Sequence, residues 1–163
     1  MRVVMFYHSL VSDWNHGNAH FLRGVISELT ARGHDVRVYE PAAAWSLENL
    51  LRERGYDAVA AFQAAYPGLS STLYTLDDLD LDQVLDHAEL VIVHEWNDPE
   101  LVRRIGRARA RMRSFKLLFH DTHHRAVSAR DELSRYDLRD YDAVLAFGRV
   151  LADAYLERGW IGR

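Results

Sequence analysis

The regular alternation of strand-like and helix-like segments is the feature that most constrains the fold of this chain. Apolar runs of strand length recur along it, and the segments between them repeat their apolar residues at helical spacing. The predicted strands are Val3–Tyr7, Asp35–Tyr39, Ser71–Thr75 (the weakest), Glu89–Val93, Phe115–Phe119 and Ala143–Phe147. Strands that alternate with helices imply right-handed βαβ crossovers. The sequence therefore predicts a single α/β domain, a Rossmann-like, doubly wound parallel sheet with helices on both faces.

Residues that favour helix starts and stops bracket the segments between these strands. Glycines follow several of the apolar stripes, and Pro99 stands where a proline fits a first helical turn. The predicted helices are one that carries Phe21 to Leu29 and ends at Gly33, one capped by Ser46 and ending near Gly55, and then Asp57–Tyr66, Asp82–His87, Pro99–Met112 and Arg149–Arg158.

Composition excludes several classes of protein. A chain of 163 residues is long enough to bury one core unaided, and the lack of cysteine removes disulfide frameworks and thiolate zinc sites. A formal charge of −4 argues against a basic nucleic-acid-binding domain. No apolar run is long enough to span a bilayer, and no signal peptide precedes the first strand. We therefore expect a soluble, cytoplasmic domain with no membrane span and no nucleic-acid partner.

Histidines collect after three of the predicted strands. In parallel sheets, ligands bind beyond the carboxyl ends of the strands. Of nine histidines, those that follow such strands or lie in the loops just after them are His8, His16, His94, His120, His123 and His124. Any single one could simply bond a loop carbonyl, and residues 15–18 also have the composition of a turn followed by a helix cap. The clustering is what predicts a polar site at one edge of the sheet.

Two other motifs favour structural roles. The first βα loop has no G-x-G-x-x-G pattern, so we interpret Glu40, at the end of the second strand, as a loop-capping acid rather than a ribose ligand. The arginines between Arg103 and Arg113 lie opposite an apolar stripe, which is typical of a solvated helix face. Glu100 and Arg104 have the spacing of an i,i+4 ion pair on that face.

Several segments together resemble the GT-B glycosyltransferases, and most of all the group called spore-maturation-protein-like glycosyltransferases. The first segment, SLVSDWNHGNAHFLRGVISELTARGHDVRVYEP at residues 9–41, has a loop with a Trp and a Gly-Asn, and a helix that ends in R-G-H-x-V. VIVHEWND at residues 91–98, FHDTHHRAVS at 119–128 and YDAVLAFG at 141–148 are similar to the same group. The resemblance covers essentially the whole chain.

This resemblance implies one half of a two-domain enzyme. In GT-B enzymes the N-terminal domain mainly holds the acceptor, the C-terminal domain holds the nucleotide-sugar donor, and the fold itself holds no metal or other cofactor. The chain matches the N-terminal domain over residues 1–163, and the phosphate loop and donor-side glutamates of the C-terminal domain have no counterpart in it. The expected partners are therefore a sugar acceptor and, through a domain missing from this chain, a nucleotide-sugar donor. We expect the isolated chain to be inactive.

The resemblance also suggests roles for the residues at the sheet edge. A base must come within hydrogen-bonding reach of the attacking hydroxyl, for which histidine and aspartate are suited. His120 and Asp121 are the candidate catalytic residues. The candidate substrate-binding residues are Asn15, His16, Gly17, Asn18, His94, Glu95 and His123.

Two alternatives remain open at this stage. A metal-dependent hydrolase could use imidazole and carboxylate ligands from His8, His94, His120, Asp121 and His123. A stand-alone, non-catalytic α/β module could instead bind a small ligand or a partner chain, and its free surface would favour a homodimer.

Overall fold

A computed structural model describes residues 1–14, 17–123 and 125–159 of the chain. Its strands are β1 (Arg2–Phe6), β2 (Asp35–Pro41), β3 (Thr72–Tyr74), β4 (Leu90–His94), β5 (Lys116–Asp121) and β6 (Ala143–Ala146). Its helices are α1 (Asn18–Ala31), α2 (Trp45–Arg54), α3 (Asp57–Ala65), α4 (Leu81–Val84), α5 (Pro99–Met112), α6 (Arg125–Ser128), α7 (Arg130–Leu133) and α8 (Arg149–Glu157). The predicted α/β class is confirmed.

The six strands form one parallel sheet in the order β3-β2-β1-β4-β5-β6. The chain first builds outward from β1 to β3 and then returns to the centre, where β4 pairs with the free side of β1. The point between β1 and β4, where the direction of building reverses, is the place at which sheets of this kind leave a crevice for ligands.

Two apolar layers cover the sheet, one on each face. Alternate residues of a strand point to opposite faces, so Val4 and Phe6 join the layer of α5, whereas Val3 and Met5 join the layer of α1. The α5 layer includes Leu101 and Ile105, which are completely buried. Parallel strands buried on both faces explain why the sequence shows continuous apolar runs rather than alternation.

Local hydrogen bonding corrects the predicted starts of two helices. Ser46 does not cap α2, because that helix begins at Trp45 and the Ser46 hydroxyl instead bonds Ser12 and the carbonyl of Trp14. The helix predicted at Asp82–His87 is the single turn α4, which starts earlier because the Asp80 carboxylate caps it.

The ion pair predicted between Glu100 and Arg104 forms with a different arginine. Glu100 pairs with Arg103, one position earlier, while Arg104 donates to the carbonyls of Leu76 and Leu79 in the loop before α4. Arg104 therefore ties a helix to a loop, which is a structural role that the charge pattern alone did not indicate.

The loop after β1 is held by two buried charged side chains. Glu40, at the end of β2, accepts a hydrogen bond from the backbone N–H of Leu10 and another from the Ser71 hydroxyl, which confirms its interpretation as a loop-capping acid. Arg23 of α1 donates to the carbonyls of Leu10 (3.0 Å) and Val11 (2.8 Å).

The Arg23 guanidinium also bridges to the next layer. It pairs with Asp13 (3.1 Å) and lies about 5 Å from the ring centroids of Phe62 and Tyr66, at 5.0 and 4.9 Å. A planar cation that is hydrogen-bonded at its edge and lies against two aromatic rings fixes the loop relative to α1 and α3.

We expect Arg23→Met to destabilise the protein by about 3 kcal/mol, because it leaves two loop carbonyls without their hydrogen-bond donor and removes the ion pair between Arg23 and Asp13. The matched control is Arg32→Met, which removes an exposed i,i+4 pair with Glu28 from the same helix and should cost less than about 0.5 kcal/mol. Denaturant unfolding measures both free energies. Equal losses for the two variants would contradict the bridging role of Arg23.

Candidate functional site

Four aromatic side chains pack together at the carboxyl ends of the central strands. Tyr7 and His8 directly follow β1, His94 ends β4, and His120 lies at the same level in β5, paired in register with His94. The His94 ring stacks on Tyr7 (4.9 Å between centroids) and on His8 (5.4 Å), and meets His120 edge-on (5.5 Å). We call these four residues the histidine cluster. It occupies the reversal point between β1 and β4.

His94 is completely buried, and its hydrogen bonds define its protonation state. The backbone N–H of Trp96 donates to His94 Nδ1 (3.3 Å), so Nδ1 carries no proton. His94 Nε2 therefore carries the proton and donates to Thr122 Oγ1 (3.0 Å). Thr122 also accepts from Asn18 Nδ2 (3.0 Å), which connects the first turn of α1 to the end of β5.

Glu95 is a completely buried carboxylate directly behind the histidine cluster. Its Oε1 accepts from the backbone N–H of Thr122 (3.1 Å), and its Oε2 accepts from Arg125 Nε (3.1 Å). Arg125 also donates to the Glu95 carbonyl (3.0 Å), which the Tyr136 hydroxyl contacts as well. Through these hydrogen bonds, Glu95 holds the segment after β5 against the end of β4.

Asp121, the last residue of β5, is a second buried carboxylate beside Glu95. It accepts hydrogen bonds from the Tyr155 hydroxyl of α8 and from the backbone N–H of His123 (2.9 Å). Burial and the negative charge of Asp121 raise the pKa of Glu95 to about 7, an effect that the Arg125 guanidinium only partly offsets. Glu95 is therefore partly protonated at neutral pH and within reach to share that proton with Asp121.

His120 retains a small exposed area at the surface of the cluster. Its Nδ1 lies 2.6 Å from the Tyr7 hydroxyl, and its ring contacts Phe21 of α1, which is half exposed. Burial lowers the pKa of His120, so the imidazole is neutral at physiological pH. A neutral imidazole beside an exposed phenyl ring is suited to contact a polar ligand that also has apolar faces.

Trp96 forms the outer wall of the site. The Arg125 guanidinium lies 4.0 Å above its ring centroid, and the rings of His8 and His123 contact it at 6.0 and 5.6 Å. The other loop tryptophan, Trp14, packs edge-on against Trp45 of α2. The wall of the site at Trp96 is therefore built from aromatic rings.

The structure brings together most of the predicted residues that it describes. His120, Asp121, His94, Glu95 and Asn18 all lie within the network around Thr122, and His123 lies beside Trp96. His94, Glu95 and Asp121 are enclosed by protein groups, whereas His120 and His123 keep exposed area and Gly17 is exposed as the N-cap of α1. Asn15 and His16, together with His124, lie outside the described residues.

Several residues of the site have no signal in the sequence. Thr122 and Arg125 adjoin the predicted histidines, but their partners His94 and Glu95 lie 27 to 30 positions away in the chain, and Asn18 lies 104 positions from Thr122. Tyr136 and Tyr155 reach the site from segments with no polar motif. The sequence indicates only that Tyr7 is the last apolar residue of a predicted strand. Its role as a hydrogen-bonding group is seen from the contact between its hydroxyl and His120.

No group of three or more His, Cys, Asp or Glu side chains among the described residues is placed to hold a metal ion. The five proposed hydrolase ligands are described, and two of them, His94 and Asp121, use their polar atoms on protein donors and acceptors. The arrangement therefore does not support the metal-dependent hydrolase.

Comparison with known proteins gives no identification. No protein-family model matches the sequence, and no curated protein or solved structure matches it either. None of the described helices is both long enough and apolar enough to cross a membrane. The function of the chain is therefore proposed from the geometry of the site together with the resemblance of its segments.

The raised pKa of Glu95 predicts a specific pH dependence of stability. The folded state keeps a proton on Glu95 up to about pH 7, whereas the unfolded chain releases it near 4.5, the ordinary pKa of a glutamate. The contribution of Glu95 to stability is therefore complete below about pH 4.5 and is lost as pH rises to about 7. The loss should be on the order of 2 kcal/mol.

Glu95→Gln should remove this dependence, because the amide imitates the protonated acid. Relative to the wild type, the variant should gain on the order of 2 kcal/mol between pH 5 and pH 8 in denaturant unfolding. Glu53→Gln, at an exposed position of α2, controls for the loss of a carboxyl group. A difference between Glu95→Gln and wild type that stays constant with pH would show that Glu95 is ionised throughout.

Proposed function

We propose that this chain binds a hydroxyl-bearing sugar acceptor at the histidine cluster and serves as the acceptor-side half of a glycosyltransferase. The observation that carries the proposal is the position of the cluster, at the reversal point of a β3-β2-β1-β4-β5-β6 sheet and at the carboxyl ends of its strands. The resemblance of residues 9–41, 91–98, 119–128 and 141–148 to GT-B enzymes supports the same assignment.

The chemistry of the exposed groups fits a sugar. A sugar ring presents hydroxyl groups at its edge and C–H groups on its faces, so it needs hydrogen-bonding groups beside an aromatic surface. His120 supplies the hydrogen-bonding group, and the half-exposed ring of Phe21, 5.6 Å from the imidazole, supplies the surface. Trp96 and His123 provide a second such pair across the site.

Sugar transfer would divide the work between this chain and a donor-binding domain. The bond from the anomeric carbon to the diphosphate breaks, and its electron pair leaves with the diphosphate. The acceptor oxygen forms the new bond and gives its proton to the departing diphosphate oxygen. In this proposal His120 contacts the acceptor. Asp121 is enclosed by Tyr155 and the His123 backbone, and it holds the loop that follows β5, next to His120. The donor nucleotide would be bound elsewhere.

One observation favours a non-catalytic binding module as the second candidate. The two carboxylates closest to the site, Glu95 and Asp121, are completely buried and hydrogen-bonded by protein groups. An active site that activates a hydroxyl usually exposes such a group to its substrate. A module that binds the same sugar without transferring it would need only His120 and the aromatic surfaces.

Calorimetric titration with a panel of mono- and disaccharides tests the binding step. The wild type should bind at least one member, and His120→Ala should weaken that binding at least about tenfold, because it removes one hydrogen bond and its ring contact. The control is His87→Ala. His87 is exposed and precedes β4, so it lies at the amino-terminal ends of the strands, opposite the site. No binding of any sugar, or equal effects of both variants, would overturn the proposal.

Labelled nucleotide sugars added with the bound acceptor then separate the two candidates. Binding without transfer by the chain alone, followed by transfer once a donor-binding domain is fused to it, supports the glycosyltransferase half. Binding that never leads to transfer in such fusions supports the non-catalytic module.

A further inference from the structure

The contact between Tyr7 and His120 is a short hydrogen bond between two buried side chains. The Tyr7 hydroxyl lies 2.6 Å from His120 Nδ1, and Tyr7 is 3% exposed. Tyr7 directly follows β1 and His120 belongs to β5, and these two strands flank β4 in the sheet, so the two rings meet above the end of β4. One of the two groups donates to the other, and the direction decides what His120 offers to a ligand.

Three arrangements of protons are chemically available. His120 could be a cation that donates from Nδ1, a neutral imidazole that donates from Nδ1, or a neutral imidazole that accepts at Nδ1 and carries its proton on Nε2. Burial disfavours the cation, and the charge of Asp121, the neighbouring residue, opposes this effect without overcoming it. The choice is therefore between the two neutral forms.

The Tyr7 hydroxyl decides between them. Burial raises the pKa of Tyr7, so the phenol keeps its proton and that proton needs an acceptor. Within the described part of the chain, His120 Nδ1 is the one acceptor that the hydroxyl reaches. If Nδ1 carried a proton, the buried phenol proton would have no partner, which is the costly outcome for a polar group.

We propose that Tyr7 is a positioning residue that holds His120 in the Nε2–H form, so that His120 offers its ligand an N–H donor rather than a basic lone pair. His94 next to it is held in the same form by the backbone N–H of Trp96. Among the described residues, the rings that contact His120 are those of Phe21, His94 and Tyr7, and the negative charge of the neighbouring Asp121 also acts on it.

This inference deepens the proposed function and rests on it only for the identity of the ligand. A donor at Nε2 recognises an oxygen of the acceptor, such as a hydroxyl, a ring oxygen or a carboxylate of an acidic sugar. It does not remove a proton from the attacking hydroxyl while Tyr7 keeps Nδ1 occupied. His120 is therefore a group that orients the acceptor, and not the general base that its position in the sequence suggests.

Nitrogen-15 NMR of histidine side chains tests the proposal directly on the full chain without a ligand. The signals of His120 are assigned by their loss in His120→Gln. In the wild type, Nδ1 should resonate as a bare nitrogen and Nε2 as a protonated one, with at least about a tenfold excess of this form at pH 7. Wild-type signals that show a proton on Nδ1, or an even mixture of the two forms, would overturn the proposal.

Tyr7→Phe tests the cause of that preference. The variant keeps the ring and removes only the hydroxyl, so the Nε2–H excess should fall to a mixture of both forms. The control is Tyr74→Phe, which removes a buried hydroxyl that bonds Asn97 instead, and should leave the His120 signals unchanged. An unaltered His120 in Tyr7→Phe would show that another group sets its tautomer.

A final titration keeps this inference separate from the proposed function. A sugar found by calorimetry should shift the His120 Nε2–H signal and leave Nδ1 bare. If no sugar binds but the wild type still shows the Nε2–H form, the proposed function fails and the positioning role of Tyr7 stands. If a sugar binds and transfers the proton to Nδ1, the positioning role fails.

Discussion

The enclosure of Glu95 between β4 and the segment after β5 is the constraint on which the rest of the site depends. A carboxylate that is removed from water must be neutralised or fully hydrogen-bonded, because its desolvation is expensive. Glu95 satisfies this requirement with Arg125, the Thr122 backbone and the nearby Asp121. These partners all come from the end of β5 and the turn that follows it. Burying one charge therefore determines the path of the next loop.

The path of that loop in turn determines what the histidines can do. Thr122 lies where it accepts from both His94 and Asn18, and Arg125 covers the face of Trp96. His94 is thus fixed by the backbone N–H of Trp96 and, by our inference, His120 is fixed by the Tyr7 hydroxyl. The pattern is that of a supporting layer, made of Glu95, Asp121 and Arg125, beneath a layer of aromatic rings in which His120 keeps a small exposed area.

The sequence predicts features that depend on residues close together in the chain, and it does not predict contacts between residues that are far apart in the chain. The strands and the clustering of His94 and His120 are predictable, because apolar runs and strand ends are local features and parallel strands bring their carboxyl ends together. Glu40 is predictable as a capping acid for the same reason. The partners of these residues are not predictable, since Tyr155 reaches Asp121 across 34 positions and Tyr7 reaches His120 across 113. For Ser46 the local pattern predicts the wrong role, because the hydroxyl that was expected to cap a helix instead forms a hydrogen bond with Ser12, which is distant in the chain.

The hydrogen bonds around the cluster also limit the chemistry that it can perform. A histidine acts as a base only if one nitrogen has a free lone pair, and both His94 and, by our inference, His120 have the bare nitrogen occupied by a protein donor. His94 uses its Nε2–H on Thr122, so the N–H donor that the proposal leaves for a ligand oxygen is the one on His120 Nε2, and it acts without a change in charge. In the proposed acceptor site, this donor would hold an oxygen of the ligand in a fixed orientation as long as His120 stays neutral, a range that the lowered pKa of His120 extends toward acid pH. Under the same proposal, selectivity would depend on the position of that donor relative to the rings of Phe21 and Trp96.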